Sequence, residues 1–560
     1  MYDIVIKNGL IIDGSGKPGF KADLAVKGGR ITKIGKSIDR EANRIISAEG
    51  LAVCPGFIDI HTHSDFVLLV NPKAESEVRQ GVTTEVIGNC GVSAAPAKGA
   101  ALESAKRIMS GYGIDKVEWT SFSDYLKLLE RKSIAINVVA LVGHGTVRQC
   151  VLGMEDRPPT EGELQEMKSL IAEAMEAGAF GMSSGLVYPP GRYASTDELI
   201  ELCKVVSSYG GIYASHIRGE RETIVEAVKE AIEIGRRSGV SVQISHHPAK
   251  IGGWGKSKET LRLIDEARKE GIDVNCDLHP YIAGSTGLSA LLPPWVQEGG
   301  PERIVQRLGD EKLRKKIRQD MIEEKIPGPG PCGLVKRGMW EKLMLADCHK
   351  NKDLIGLDFE EIARKKGKDP FEAYFDLIVE EKARGMVVGF YYNEEDIRRV
   401  LLHPTSMIGS DGYALAPYGP LGKGRMHPRS YGTFPMVLRK YVRGESRKEL
   451  FYDEGAKILT LEEAVMKMTS VAAKKLGLRE RGLLREGMHA DIVVLNPERV
   501  SDKATYLDPY RYPEGIEYVI VNGELVIDGK EHTESLPGVV LRGSEDVRIN
   551  ERTSSLGYIT

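Results

Sequence analysis

The stretch Pro55-Gly-Phe-Ile-Asp-Ile-His-Thr-His-Ser-Asp65 is a short apolar run that ends in two histidines separated by one residue. Residues two apart on a β-strand point to the same face, so this pattern predicts that His61 and His63 direct their imidazoles to one point. A His-x-His pair alone does not establish a metal site, because most strand histidines are ordinary core or surface residues. The remainder of the chain has to supply further ligands.

Seven more apolar runs follow, separated by charged stretches that carry apolar residues at helical spacing. This alternation is typical of parallel strands joined by helices. Eight such strands predict an α/β fold, a (β/α)8 barrel over residues 55–479, whose chemistry lies at the carboxyl ends of the strands. The predicted strands cover residues 57–63, 85–89, 137–143, 180–184, 211–216, 241–246, 273–279 and 406–411.

The two ends of the chain resemble each other. Ile6-Lys-Asn-Gly-Leu-Ile-Ile-Asp-Gly14 and Val521-Asn-Gly-Glu-Leu-Val-Ile-Asp-Gly529 each place strand-forming residues around Asn-Gly, which is a strong hairpin signal. We therefore predict one small β-sandwich domain assembled from residues 1–54 and 480–543, followed by a tail over residues 544–560.

Between the seventh and eighth predicted strands the alternation lapses over about residues 286–350. The segment contains Leu291-Leu-Pro-Pro-Trp295 and the run Pro327-Gly-Pro-Gly-Pro331. Long insertions that follow a barrel strand are more often functional than accidental, so we predict a lid over the barrel mouth. The alternative is a surface excursion without a part in catalysis.

The composition excludes several classes of protein. The 560 residues contain 77 Lys+Arg and 80 Asp+Glu, a net charge of −3, which argues against nucleic acid as a partner. No secretory signal and no run of 18 apolar residues is found, so a cytoplasmic protein that binds no membrane is expected. We expect a small-molecule substrate and leave homo-oligomer formation open.

Other predicted strand ends supply the same kinds of ligand atom as His61 and His63. They are Cys90, His216, His246 and Asp411. Imidazole, thiolate and carboxylate suit Zn²⁺, and three protein ligands with an open position are typical of a catalytic site. The other six cysteines lack such neighbours and are predicted to be buried apolar residues or incidental thiols; they are Cys54, Cys150, Cys203, Cys276, Cys332 and Cys348.

With these residues in view, the chain resembles the amidohydrolase superfamily, through the opening hairpin, the His-x-His strand, Ser215-His-Ile-Arg218, Ser245-His-His247 and Ser410-Asp-Gly412. Within that superfamily it resembles the D-aminoacylase (N-acyl-D-amino-acid deacylase) family over residues 1–543. The motifs of that family are Gly81-Val-Thr-Thr-Glu-Val-Ile-Gly-Asn-Cys-Gly-Val-Ser93, Leu141-Val-Gly-His-Gly-Thr146, Pro280-Tyr-Ile-Ala-Gly-Ser-Thr286, His427-Pro-Arg-Ser-Tyr-Gly-Thr-Phe-Pro435 and Pro537-Gly-Val-Val-Leu-Arg542.

The resemblance implies one tightly held zinc and a second, weaker metal position beside it. The implied tight ligands are Cys90, His216 and His246. The implied weaker position is formed by His61, His63 and Asp411. Many amidohydrolases bridge two metals with a carboxylated lysine from the fourth strand, but Phe180-Gly-Met-Ser-Ser184 contains no lysine. Cys90 is then the expected substitute, as in D-aminoacylases.

The implied reaction is hydrolysis of the amide bond of N-acyl-D-amino acids, which gives a carboxylate and a free D-amino acid. A carboxylate must take a proton from water and deliver it to the leaving nitrogen, and Asp411 is the candidate. The alternatives are a cyclic-amide hydrolase, a dipeptidase, or a non-catalytic scaffold with the same fold.

Several residues are implied to contact substrate. Arg429 matches a family position that pairs with the α-carboxylate, since a guanidinium binds a carboxylate in a fork. Ser285 and Tyr281 are expected to donate to the same group. His279 stands where the family usually has tyrosine, and His144 is expected either beside the metal ligands or in a structural role.

Overall fold

Eight short parallel strands surround the centre of the molecule and confirm the predicted (β/α)8 barrel. The computed structural model describes residues 1–324, 328–448, 450 and 452–543; the predicted tail, residues 544–560, lies outside them, as does Pro327 of the Pro-Gly run. The strands are Phe57–Asp59, Val82–Ile87, Asn137–Ala140 continued by Val142–Gly143, Gly181–Gly185, Ile212–His216, Ser241–Ile244, Val274–Leu278 and Ser406–Ile408.

Neighbouring barrel strands pair in parallel register around the ring. The ring closes between the last and first strands, where Thr62 bridges Gly412 and the amide of Asp411 donates to the carbonyl of His61 at 2.7 Å. The first, second, sixth and eighth strands end before the ligand residues that the sequence predicts at their carboxyl ends. These residues are His61 and His63, Cys90, His246 and Asp411, in the order of the strands. These side chains therefore stand in the first residues of the loops at the barrel mouth.

Amphipathic helices cover the outside of the barrel. Glu161–Glu176 is typical: Thr160 and Glu163 form a capping box at its start, and Met167 and Ile171 are buried on the face towards the strands. The helices outside the insertion are Val67–Val70, Glu75–Val78, Gly99–Gly111, Phe122–Lys132, His144–Val151, Glu161–Glu176, Thr196–Ser208, Ile224–Ser238, Ser257–Lys269, Glu394–Leu402, Arg429–Val437, Leu461–Met468 and Ser470–Leu476. Among the described residues, no helix is both long and apolar enough to cross a bilayer.

Strands from both ends of the chain form one nine-stranded sheet beside the barrel. Ala52–Pro55 joins the two halves, because it pairs in parallel with Tyr2–Ile11 and antiparallel with Ile492–Leu495. The sheet bends over an apolar core of its own. Its strands are Tyr2–Ile11, Phe20–Lys27, Arg30–Gly35, Ala42–Ser47, Ala52–Pro55, Ile492–Leu495, Ile516–Val521, Glu524–Asp528 and Glu531–His532.

The insertion after the seventh strand is longer than the predicted 286–350. It contains an antiparallel sheet in which Met386–Phe390 lies between Ala283–Gly287 and Leu343–Asp347. The helices Phe359–Lys366 and Pro370–Glu380 follow the amphipathic pattern of barrel helices, which is why the sequence did not reveal the boundary. They pack instead on a core within the insertion. The remaining helices are Pro294–Gln297, Pro301–Leu308, Glu311–Glu323 and Cys332–Lys336.

We predict that Leu377→Ala, in the core of the insertion, lowers the free energy of unfolding of this unit by about 2–5 kcal/mol, because the change leaves a cavity. Limited proteolysis should then cut the insertion before the barrel. Leu402→Ala, at a leucine that is 52% exposed on a barrel helix, is the matched control. If both variants are cut in the same order as the parent, the insertion has no separable core.

Candidate active site

The predicted metal ligands converge at the barrel mouth on the sulfur of Cys90. Its Sγ lies 3.3 Å from Nε2 of His61, 3.6 Å from Nδ1 of His216 and 3.6 Å from Nε2 of His246. Two ligand sets share this sulfur, and the ligand atoms within each set lie within 4.8 Å of one another. The first set is Cys90, His216 and His246. The second set is Cys90, His61, His63 and Asp411.

The charges around this sulfur fit a divalent cation. Burial alone would raise the pKa of Cys90, but His61 and the two neighbouring imidazoles hold it well below the usual range, which favours the thiolate. Burial would likewise lower the pKa of His63 and of His216, yet anionic partners raise both to about 9. The anionic groups thus stabilise positive charge at the point where the ligand atoms meet. Thiolate and imidazole together form a donor set that suits zinc.

Two buried carboxylates hold the outer nitrogens of the ligand histidines. Oε1 of Glu220 lies 3.2 Å from Nε2 of His216 and 3.3 Å from Nδ1 of His246. Asp277 lies 3.3 Å from Nδ1 of His61. Carboxylates in such positions fix the orientation of metal-ligating imidazoles and raise their basicity. Neither was singled out in the sequence, although both stand at or just beyond strand ends.

Asp411 connects the ligand sets with Arg429. Its Oδ1 lies 2.9 Å from Nε2 of His63, while its Oδ2 accepts a hydrogen bond of 2.6 Å from the guanidinium of Arg429. Burial would raise the pKa of Asp411, but Arg429 and His63 hold it well below the usual range, so the carboxylate is ionised. The group can therefore accept a proton. Arg429 begins the helix Arg429–Val437 and is itself buried.

Three residues of this centre have backbone conformations that L-residues rarely adopt. Cys90, His246 and Asp411 have φ of 52°, 35° and 54°. Strained backbone of this kind is concentrated at functional sites, where the surrounding structure holds it in place. Each of the three residues lies two or three positions after the end of its strand, in the loop at the barrel mouth.

The fourth strand contributes no ligand because its end packs against the backbone of Cys90. A Cβ atom on Gly185 would lie 2.2 Å from the carbonyl oxygen of Cys90, and one on Gly91 would lie 2.6 Å from the amide nitrogen of Gly185. Ser183 holds the same loop, since its hydroxyl accepts from the amide of Gly91. The Cys90 sulfur takes part in both ligand sets, and the fourth strand, Gly181–Gly185, contains no lysine.

The ligand sets open into a cavity of about 420 Å³. Of the residues expected to bind substrate, Arg429 and Ser285 line it, and the Ser285 hydroxyl is buried without a hydrogen-bond partner among the described residues. The insertion supplies Ser285 together with Thr286, Gly287 and Met386, so it forms one wall of the cavity. Lys250, which the sequence did not single out, also lines the cavity and pairs with Glu220.

Three expected site residues lie behind the cavity instead of lining it. The ring of Tyr281 packs edge-on against His427, 5.1 Å between centroids, and so supports the turn that precedes Arg429. His279 is buried against Tyr392, and burial together with the charge of Arg429 lowers its pKa well below the usual value. His144 bonds Glu198 at 2.9 Å, whereas the outer nitrogens of the metal ligands face Asp277 and Glu220.

The barrel and its site define a class: a metal-dependent hydrolase whose ligands are donated from the strand ends. A model of the amidohydrolase family matches residues 44–281 and 357–527. A D-aminoacylase and an N-acyl-D-aspartate deacylase from Alcaligenes xylosoxydans xylosoxydans are 37% and 36% identical to this chain, each over 96% of it and over 97% and 95% of their own lengths.

A solved structure gives the same assignment. N-acyl-D-glutamate deacylase from Bordetella bronchiseptica, complexed with zinc and a phosphonate that mimics the tetrahedral intermediate, superposes with a TM-score of 0.79 at 33% identity, over 97% of this chain and 99% of that one. The chain belongs to the D-aminoacylase family of amidohydrolases.

We predict that Cys90→Ala weakens zinc binding by more than the ~10–100-fold that is usual when an outer partner of a ligand is lost, because the sulfur belongs to both ligand sets. Glu220→Gln should fall within that range. Elemental analysis after dialysis against a graded chelator measures both. Cys203→Ala, which removes a buried helix thiol away from the site, is the control, and full zinc in Cys90→Ala would contradict the assignment.

Proposed function

We propose that this protein hydrolyses N-acyl-D-amino acids to a carboxylate and a free D-amino acid with zinc as its metal. The observation that carries the proposal is the position of Asp411, which contacts His63 of the metal site with one oxygen and the buried Arg429 with the other. A proton carrier thus lies between a cation site and a carboxylate-binding group. The relatives that are 36–37% identical to this chain are a D-aminoacylase and an N-acyl-D-aspartate deacylase, which supports this substrate class.

The metal and Asp411 have separate tasks in this reaction. When bound, zinc supplies Lewis-acid polarisation of a carbonyl oxygen and lowers the pKa of a water molecule to about 7. Asp411 accepts a proton from the attacking water and delivers it to the departing amide nitrogen. Arg429 and His63 keep the Asp411 carboxylate ionised, which is the form that can accept a proton.

Arg429 is proposed to anchor the α-carboxylate of the substrate. One of its terminal nitrogens bonds Asp411, and the planar guanidinium has further N–H groups that can bind a carboxylate. The Ser285 hydroxyl, which is buried in the same cavity without a partner among the described residues, can donate to the same group. Lys250 adds positive charge nearby, although its ammonium is held by Glu220.

The anchor also supports stereochemical selection. A carbonyl at the metal and a carboxylate at Arg429 fix two of the groups around the α-carbon. The side chains of the two enantiomers then point in different directions, towards the open cavity or towards its wall. We propose the D-enantiomer as the substrate.

The other functions predicted from the sequence are less well supported. A cyclic-amide hydrolase is expected to have the bridging lysine that Gly181–Gly185 lacks. A scaffold protein would be free to lose its ligands, but all six predicted ligands are present and lie in the two sets. A dipeptidase would need a carboxylate to bind the free amino group of its substrate. The carboxylates that line the described cavity are already engaged, Asp411 at the metal site and Asp65 with the amide of Gly88.

We also propose a cytoplasmic location. All seven cysteines are unpaired thiols, and five of them besides Cys90 are buried, as is usual in a reducing compartment. Homo-oligomer formation stays a prediction, and gel filtration with light scattering would measure it.

We predict that Asp411→Asn lowers kcat at least ~100-fold, because an amide cannot accept and return the proton. Near-UV circular dichroism should remain that of the parent. Asp39→Asn, at an aspartate of the terminal sheet whose side chain is 85% exposed, is the matched control and should not change kcat. Turnover of Asp411→Asn at close to the parent rate would assign the proton transfer to another group.

We predict that the zinc-loaded enzyme hydrolyses N-acetyl-D-methionine with a kcat/KM at least ~100-fold above that for the L-enantiomer. Arg429→Ala should raise KM and reduce this preference, since the substrate can then rotate at its remaining contact. Arg429→Lys should restore only part of the loss because an ammonium does not form the fork. Arg262→Ala, on an exposed helix face, is the control. Equal kcat/KM for both enantiomers would refute the proposed substrate.

A further inference from the structure

One wall of the catalytic cavity is apolar and comes from the loops after the first and second barrel strands. We call it the acyl wall; it consists of Phe66, Val92, Ile108 and Tyr112. Val92 and Ile108 are among the large apolar side chains that the protein leaves exposed, at 46% and 36%. Exposed apolar side chains that line a cavity are typical of a ligand-binding surface.

The charged groups of the cavity are each bound to a partner that is not part of this wall. Arg429 bonds Asp411, and Lys250 pairs with Glu220. Asp65 is the charged residue nearest in sequence to Phe66, and its carboxylate accepts from the amide of Gly88 at 3.1 Å. The wall is therefore suited to an uncharged group, whereas a carboxylate placed there would lose its hydration without a cationic partner from the wall itself.

The order of the strands relates this wall to the ends of the substrate. In the proposed function, the α-carboxylate binds Arg429, which follows the eighth strand, and the scissile carbonyl lies at the ligand sets. The acyl group then extends from the scissile carbonyl on the side of the Cys90 sulfur that is opposite Arg429. Val92 stands two residues after Cys90, and Ile108 lies on the helix Gly99–Gly111 that follows the same strand. The acyl group therefore points towards the acyl wall.

We propose that the acyl wall is a subsite for an apolar acyl chain longer than acetyl. This inference rests on the proposed function and adds the class of acyl group. The cavity of about 420 Å³ corresponds to roughly 14 water-sized groups at ~30 Å³ each, which is more than an N-acetylated small amino acid supplies. Each further methylene that reaches the wall contributes about fourfold in kcat/KM, if it is fully buried.

Two isomeric substrates test the location of the subsite. N-pentanoyl-D-alanine and N-acetyl-D-norleucine carry the same added methylenes, the first on the acyl group and the second on the amino-acid side chain. With the zinc-loaded enzyme, kcat/KM for N-pentanoyl-D-alanine should exceed that for N-acetyl-D-alanine at least tenfold. A gain confined to N-acetyl-D-norleucine would overturn the proposal and assign the wall to the side chain.

A variant tests the wall itself. In Ile108→Ser the ratio of kcat/KM for N-pentanoyl- to N-acetyl-D-alanine should fall at least threefold, whereas in Leu402→Ser, at an exposed leucine on the barrel helix Glu394–Leu402, it should stay as in the parent. An unchanged ratio in Ile108→Ser would overturn the proposal. Hydrolysis of N-acetyl-D-alanine without any chain-length gain would leave the proposed function standing and refute the subsite alone. Failure to hydrolyse any N-acyl-D-amino acid would refute both.

Discussion

A single sulfur atom constrains the active site more than any other group. The Cys90 thiolate belongs to both ligand sets, so its position must satisfy imidazoles from the first, fifth and sixth strands at once. That position depends on the left-handed turn at Cys90 and on the contact between Gly91 and Gly185. The second and fourth strands thus cooperate to hold an atom that neither could hold alone, and the closed ring of strands keeps the imidazoles around it.

Three carboxylates lie around this centre, and they differ in the groups that they contact. Glu220 and Asp277 stand behind the ligand histidines and fix their orientation, while Asp411 faces the cavity and is paired with Arg429. The carboxylates behind the ligands face buried groups: Glu220 pairs with Lys250 through one oxygen, and Asp277 accepts from Gln243 and from the amide of His246. Asp411 alone among these three lines the described cavity, which supports the proton-transfer role proposed for it.

The sequence predicted that the candidate metal ligands would converge because each one follows an apolar run, and barrel strands bring such positions together. It also revealed the junction of the two chain ends, where Ala52–Pro55 pairs with Ile492–Leu495. It did not reveal Glu220 or Asp277, since a buried carboxylate beyond a strand has no local pattern that separates it from a hydrated one. Tyr281 belongs to a family motif and His279 departs from the family pattern, but the side chains of both pack into an aromatic cluster that depends on distant residues such as His427 and Tyr506. The sequence also did not predict the end of the insertion, because the helices of the insertion have the same amphipathic pattern as barrel helices.

The insertion joins the barrel between the seventh strand and the helix Glu394–Leu402. It has its own apolar core, and its residues Ser285 and Met386 line the cavity. Evolution can therefore exchange or redesign this unit by recombination without disturbing the sulfur and imidazoles, which come from other strands. The metal ligands and this one wall of the cavity are thus contributed by separate parts of one polypeptide. A chimaera that took its insertion from a relative would retain its reaction and acquire a new wall.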